Sequence, residues 1–169
     1  MPKIIEDLPF RLSEEARQQV EQAGYSALTI RSVAKSCGIG VGTVYNYFPS
    51  KESLVASYML RDWDACYTAL LARCAGAAGP EAVLHAVYEQ LIRFLQEHEG
   101  LFRDEAAQGS FAAFYGLYHS RLLQGLAAPL RRFCPDDFTA AFLAQALLNW
   151  TMEGQSFETL YPVLAKIIA

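Results

Sequence analysis

Charge is scarce in this chain. Only 19% of its 169 residues are Asp, Glu, Lys or Arg, while 53% are apolar. That balance excludes a self-repelling disordered polymer and calls for a packed core. Long apolar runs are missing too. No stretch approaches the ~20 residues of a membrane span, and the start, MPKIIEDLPFRLSEE, is too charged for a secretory signal. The expected setting is the cytoplasm, with no membrane partner. Cysteine pairing is absent as well: Cys37, Cys66, Cys74 and Cys134 form no CxxC and have no histidine at ligand spacing. They read as reduced core thiols rather than as a metal site. Catalytic motifs are lacking. There is no GxSxG, HExxH, P-loop or Cys–His pair, and His85, His98 and His119 stand scattered among helices without paired acids. Neither an enzyme nor a bound cofactor is expected.

β-Branched alternation is also absent, and Ala, Leu, Gln, Glu and Arg dominate. The chain therefore reads as all-α, with about nine helices. A first helix is expected over Ser13–Ala23, with Ser13 as its N-cap, Leu12, Ala16 and Val20 facing inward, and Gly24 ending it. Thr29 caps the second helix. The third runs from Gly40 to Pro49, and Ser50 caps a long fourth that reaches Ala75, about 25 residues. Pro80 opens the fifth, which runs to His98 and is closed by Gly100. A short sixth is expected over Leu101–Gln108, a seventh over Ser110–Phe133, an eighth from Pro135-Asp136-Asp137 through Glu153, and a ninth after Ser156 with Pro162 inside it. Residues 1–50 form one expected domain and 51–169 a second.

One segment departs from plain packing. Residues Thr29 to Lys51, TIRSVAKSCGIGVGTVYNYFPSK, read as two short helices joined at a glycine turn, the form of a DNA-reading helix-turn-helix. Val33, Ala34, Cys37, Ile39 and Val44 recur at spacings that place them between the helices. Ala34 is small enough for a close crossing, and Gly38 sits at the turn, where a left-handed backbone strains residues that carry a Cβ. Apolar residues at these offsets suit any helical corner. The face they leave free decides the reading. Thr29, Arg31, Thr43, Tyr45, Asn46, Tyr47 and Lys51 gather hydroxyls, an amide and two cations, which are groups that phosphates and base edges engage. Charge is distributed to match. The whole chain carries −4, yet residues 25–61 hold Arg31, Lys35, Lys51 and Arg61 against Glu52 alone, while 62–169 hold seven basic and twelve acidic residues.

With this motif near the N-terminus and helix after helix behind it, the chain resembles the TetR family of transcriptional regulators. The likeness is densest in GYSALTIRSVAKSCGIGVGTVYNYFPSKESL, residues 24–54. Gly24-Tyr25, Thr29, Val33-Ala34, Gly38, Gly42-Thr43, Tyr45, Phe48 and Ser50-Lys51-Glu52 fall where the family pattern has such residues. One departure is Gly40, where many members carry a better-capping Ser or Thr. The resemblance implies an all-α homodimer in which a three-helix DNA-binding domain is joined by the long fourth helix to a helical ligand-binding and dimerisation domain. It further implies pairing through the last two helices and a small-molecule pocket whose occupation weakens DNA binding. The expected function is a homodimeric repressor released from a palindromic operator in double-stranded DNA by a small, largely apolar effector.

The free face divides by chemistry. Arg31 can take guanine O6 and N7, with a phosphate clamp as its alternative role, Asn46 can take adenine N6 and N7, and Val41 and Gly42 can touch a thymine methyl or let the groove floor come close. Thr29, Thr43, Tyr45, Tyr47 and Lys51 are expected on phosphates. For Lys51, at a helix N-terminus, a bound phosphate would reverse an unfavourable dipole. In the body, Trp63, Tyr67, Tyr88, Phe102, Phe114, Tyr115, Tyr118 and His119 are expected to line a ligand pocket, and packing as ordinary core remains the alternative for most of them. Phe142, Leu143, Leu147 and Trp150 on the eighth helix, with Phe157, Leu160 and Leu164 on the ninth, exceed what one protomer's core needs and suit a two-fold interface. The rival reading is an interaction module that kept the helix-turn-helix fold and either lost DNA or works without an inducer. Retention of Arg31, Lys51 and the tyrosines speaks against it.

Overall fold

Pro9 decides where the first helix begins. A computed structural model describes residues 7–168, with the backbone alone at Gln108 and 111–117. Asp7 turns the chain in the left-handed region at φ 60°, and Pro9 sits in the first turn, where its missing N–H is no loss. Helix α1 therefore spans Leu8–Ala23 rather than starting at Ser13. Ser13 is not a cap. It lies wholly buried inside the helix, where its hydroxyl donates to the Phe10 carbonyl at 2.9 Å and accepts from Arg61 at 2.9 Å. The expected inward stripe holds: Leu12 and Ala16 are fully enclosed, with Val20 packed at the edge.

A 3₁₀ turn at Tyr25–Ala27 leads into α2 (Ile30–Ser36), followed by α3 (Val41–Tyr45) and α4 (Lys51–Ala75). Then come α5 (Pro80–Glu97), α6 (Glu99–Phe102), α7 (Glu105–Ala127), a 3₁₀ turn at Arg131–Phe133, α8 (Asp137–Met152) and α9 (Phe157–Ile168). These nine α-helices are the regular structure among the described residues, and none is long and apolar enough to cross a membrane. Several boundaries differ from expectation, and α6 ends at Phe102 rather than running from Leu101 to Gln108. Gly100 lies inside α6 and does not close α5. Asp104 starts α7 before Ser110, because its carboxylate accepts from the N–H groups of Ala106 at 2.9 Å and Ala107 at 3.1 Å. Helix α7 also ends at Ala127, short of Pro129.

The chain forms two compact units. One takes in the chain up to Arg61 together with His98–Gly116, and the other takes in Asp62–Glu97 and the chain from Leu117 onward. The first unit closes over Leu8, Leu12, Ala16, Tyr25, Leu28, Val33, Val44, Leu54, Val55 and Tyr58, with Leu101 and Ala107 added from α6 and α7. The second has its own core. Helix α5 packs on α8 and α9 through Leu84, Val87, Leu91, Leu143 and Leu147, all fully buried. Each such leucine contributes about 1.5–3 kcal/mol by leaving water. Trp63 meets the edge of Phe94 at 5.4 Å and lies against the backbone of Gly125, where a Cβ would come within 3.2 Å of the indole. Glycine at 125 thus sets how closely α7 approaches that ring.

Candidate nucleic-acid interface

Helices α2 and α3 are too short to hold together by apolar burial alone, so side chains and turn bonds fix their ends. Thr29 caps α2 reciprocally: its hydroxyl accepts from the Ser32 N–H at 3.0 Å, and the Ser32 hydroxyl accepts from the Thr29 N–H at 3.2 Å. Ser32 also donates to Gln19 on α1 at 2.6 Å, which ties the reading pair to the helix behind it. At the other end Gly38 takes φ 68°. Its N–H bonds the Lys35 carbonyl at 3.1 Å, while the Ile39 N–H reaches back to the Ala34 carbonyl at 3.0 Å. These paired bonds form the left-handed helix ending that glycine favours, and they aim the chain into α3.

Between the helices Val33, Ala34 and Val44 are fully buried, Phe48 is nearly so, and Cys37, Ile39 and Val41 pack at the rim. The opposite face is open. Arg31, Gly42 and Asn46 are exposed, with Tyr45 at 52% and Tyr47 at 49%, while Val41 and Thr43 are half-buried. Burial of Phe48 with exposure of both tyrosines is the division expected from the sequence. Helix α3 stops at Tyr45 rather than running to Pro49, so Asn46 is its C-cap residue and Tyr47 lies just beyond it. Gly42 has nothing within 4 Å of where a Cβ would stand. No packing within the protein requires glycine there.

Lys51 is placed less simply. Ser50 and Ser53 cap α4 reciprocally at 3.2 Å each. The Lys51 ammonium folds back to donate to the Tyr25 carbonyl at 3.3 Å, over the Tyr25 ring at 4.0 Å. The Tyr25 hydroxyl donates to Glu52 at 2.8 Å. Burial, helped by Glu52, pushes the Tyr25 phenol up to about 12. Glu52 goes the other way. Its partial burial is outweighed by bonds from its own N–H, Ser50 and Tyr25, and its carboxyl falls below the usual range. Sequence reasoning gave neither Tyr25 nor Glu52 a role. Opposite charges side by side at a helix start were the available signal.

The residues expected to line a ligand pocket are not gathered in one unit. Trp63 is buried against Phe94, Tyr67 is half-buried beside Gly125, and Tyr118 and His119 are half-buried on α7, all in the second unit. Tyr88 has a structural use: its hydroxyl donates to the Gln155 carbonyl at 3.1 Å and its ring lies 5.6 Å from Phe157. Phe102 belongs to the first unit and meets His98 edge-on at 6.4 Å. The side chains of Phe114 and Tyr115 lie outside the described residues. In the second unit an open cleft of about 560 Å³ is lined by Glu81, His85, Phe157 and Tyr161, none of them expected there.

The expected interface residues on α8 and α9 divide in the same way. Phe142 and Trp150 are half exposed, at 50% and 52%. Leu143, Leu147, Phe157, Leu160 and Leu164 are buried within the protomer, so for these five the supposed excess over one core does not hold. The reason is α5, whose apolar stripe covers the inner faces of both helices. Phe138, Met152 and Val163, which the sequence reading passed over, are exposed instead, and the Phe138 ring stacks on Phe142 at 6.5 Å.

Comparison with known proteins agrees with this geometry. Residues 12–58 match the family described as bacterial regulatory proteins, tetR family. The HTH-type transcriptional regulator YuxN of Bacillus subtilis (strain 168) is 29% identical over 97 residues, 57% of this chain and 33% of that protein. The HTH-type transcriptional repressor KstR of Rhodococcus jostii (strain RHA1) is 34% identical over 67 residues, 35% of this chain and 32% of its own. The matches therefore span about a third of these relatives' length. The crystal structure of the multidrug binding protein EbrR complexed with imidazole superposes with a TM-score of 0.62 at 19% identity, covering 98% of this chain and 92% of that one, and so shares the fold. Over residues 12–58, the segment that holds the helix-turn-helix, the chain is similar to the tetR family of bacterial regulatory proteins.

Proposed function

We propose that this protein is a sequence-specific, DNA-binding transcriptional regulator that acts as a homodimeric repressor and leaves a palindromic operator when a small, largely apolar ligand binds. The observation that carries the reading is the two-sided helix-turn-helix. One side is sealed by Val33, Ala34 and Val44, and the other offers Arg31, Tyr45, Asn46 and Tyr47 to solvent. Arg31 and Asn46 are the base readers, with Val41 and Gly42 near the groove floor. Thr29, Thr43, Tyr45, Tyr47 and Lys51 take phosphates. Thr29 does so as well as capping α2.

Dimerisation is supported by the exposed Phe138, Phe142 and Trp150 on α8 with Val163 on α9, an apolar surface suited to a self-complementary two-fold contact. Two copies would set their reading helices about 34–36 Å apart, one turn of DNA. Ligand release rests on the family and on the half-buried aromatics of the body.

The test is a gel shift on the gene's own upstream DNA against competitor duplex, with sedimentation run in parallel. Specific retardation by a dimer, and its loss as hydrophobic compounds are screened, is the expected result. No retention over competitor would end the DNA-reading reading, a micromolar monomer the dimer, and unchanged affinity across a broad screen the induction.

A further inference from the structure

Tyr25 sorts two opposite charges at the start of α4. Its ring is fully enclosed, yet its two ends reach neighbouring side chains. The backbone carbonyl and ring face hold the Lys51 ammonium, at 3.3 and 4.0 Å. The hydroxyl holds the Glu52 carboxylate at 2.8 Å, and the Ser110 side chain bonds the same hydroxyl. Lys51 and Glu52 are the first two residues of the helix. The positive end of the helix attracts an anion, and so does the ammonium. The Glu52 carboxylate repels one. A phosphate can settle there only if that carboxylate is kept aside while the lysine stays close.

We propose that Tyr25 is a positioning residue for DNA binding, its hydroxyl holding Glu52 away from the phosphate and its carbonyl and ring keeping Lys51 beside it. This rests on the DNA-reading function proposed above. The phenol remains protonated throughout the working range, since burial raises it to about 12, and so it serves as a constant donor. Glu52 stays ionised under the bonds it accepts. Without the Tyr25 hydroxyl the carboxylate keeps only the bonds from its own N–H and Ser50, and it would turn toward Lys51 and compete with the phosphate for the ammonium. The loss should be independent of sequence, because phosphates carry none.

The experiment titrates wild-type protein, Y25F, E52Q, the double variant Y25F/E52Q, and K51A against the upstream DNA and a scrambled duplex over a range of salt, with a melting curve for each. Y25F is expected to weaken both duplexes alike by about fivefold, an order-of-magnitude figure for one unshielded surface charge. Y25F/E52Q should return to within about twofold of E52Q, and K51A should lower the salt slope by about 1. Wild-type affinity in Y25F, or a Y25F loss that persists when Glu52 is already Gln, overturns the role of Tyr25, with DNA binding itself still standing. If wild-type protein binds neither duplex, the DNA-reading function falls and this role falls with it.

Discussion

The reading head and the body reach order by different routes. Helices α2 and α3 have seven and five residues, and α5 and α8 have eighteen and sixteen. A helix of five residues cannot form in isolation, because nucleation costs more than so few hydrogen bonds return. It must be specified at its ends. In the head, α2 is closed by the Thr29–Ser32 box and the Gly38 ending, while α3, with no side-chain cap, is held by turn bonds to the Gly40 carbonyl and by the burial of Val44. The body has turns to spare and relies on leucines sealed between α5, α8 and α9. An element held by its ends keeps a whole face free for another molecule. An element held by its face does not.

The largest effect should come from the body. Leu147 is fully buried, and Leu147→Ala should cost about 2–4 kcal/mol of stability, read as a lowered denaturant midpoint. Specific DNA affinity at low temperature should be unchanged. A drop in affinity without a drop in stability would erase the division of labour.

Next comes Arg31, exposed on α2. Arg31→Ala should leave stability alone and reduce discrimination between operator bases by about 1–3 kcal/mol. Binding-site selection on a random library checks it, and an unaltered consensus would remove Arg31 from the base readers.

A smaller effect is expected at Gly42. Its site is open and its backbone is helical, so Gly42→Ala should raise stability by up to about 1 kcal/mol. Thermal melting would show it. Destabilisation would mean that the glycine is needed by the fold and not by the groove.

Smallest is an acid effect shared by both regions. The Ala107 and Ala106 N–H groups and Ser26 hold the Asp104 carboxyl below the usual range in the head. The Thr139 N–H does the same for Asp136 in the body. Because the folded values are lowered, this stabilisation is fully present above the ordinary aspartate value of about 3.9 and disappears as pH falls through the lower folded value. Melting points of Asp104→Asn and Asp136→Asn should decline less steeply than wild type below that pH. Parallel decline in all three would show that the caps carry no pH dependence.

Much of the head was legible because its signals are local. Thr29 and Ser50 announce helix starts, Gly38 a left-handed turn, and Val33, Ala34 and Val44 a shared inner face. The first helix was misplaced because Ser13 imitates a cap while Pro9, the true marker, sits within an unpromising charged start. The body was less legible because partners there are distant in sequence. Nothing in FLAQALLNW tells which of Leu143 and Phe142 faces inward; α5, some fifty residues earlier, decides it by covering the leucine and leaving the phenylalanine out. Tyr25 illustrates the same limit, since its partner Glu52 is 27 positions away.

The empty space above Gly42 also bears on how such a head changes over generations. A side chain placed there displaces no atom of the protein. A single codon change can therefore add a methyl, a hydroxyl or a longer group on the face proposed to meet DNA while the scaffold behind it stays as it was. If Gly42 faces the groove as proposed, duplicated copies of this gene can diverge in the sites they select through that one position, with no second mutation required to restore the fold.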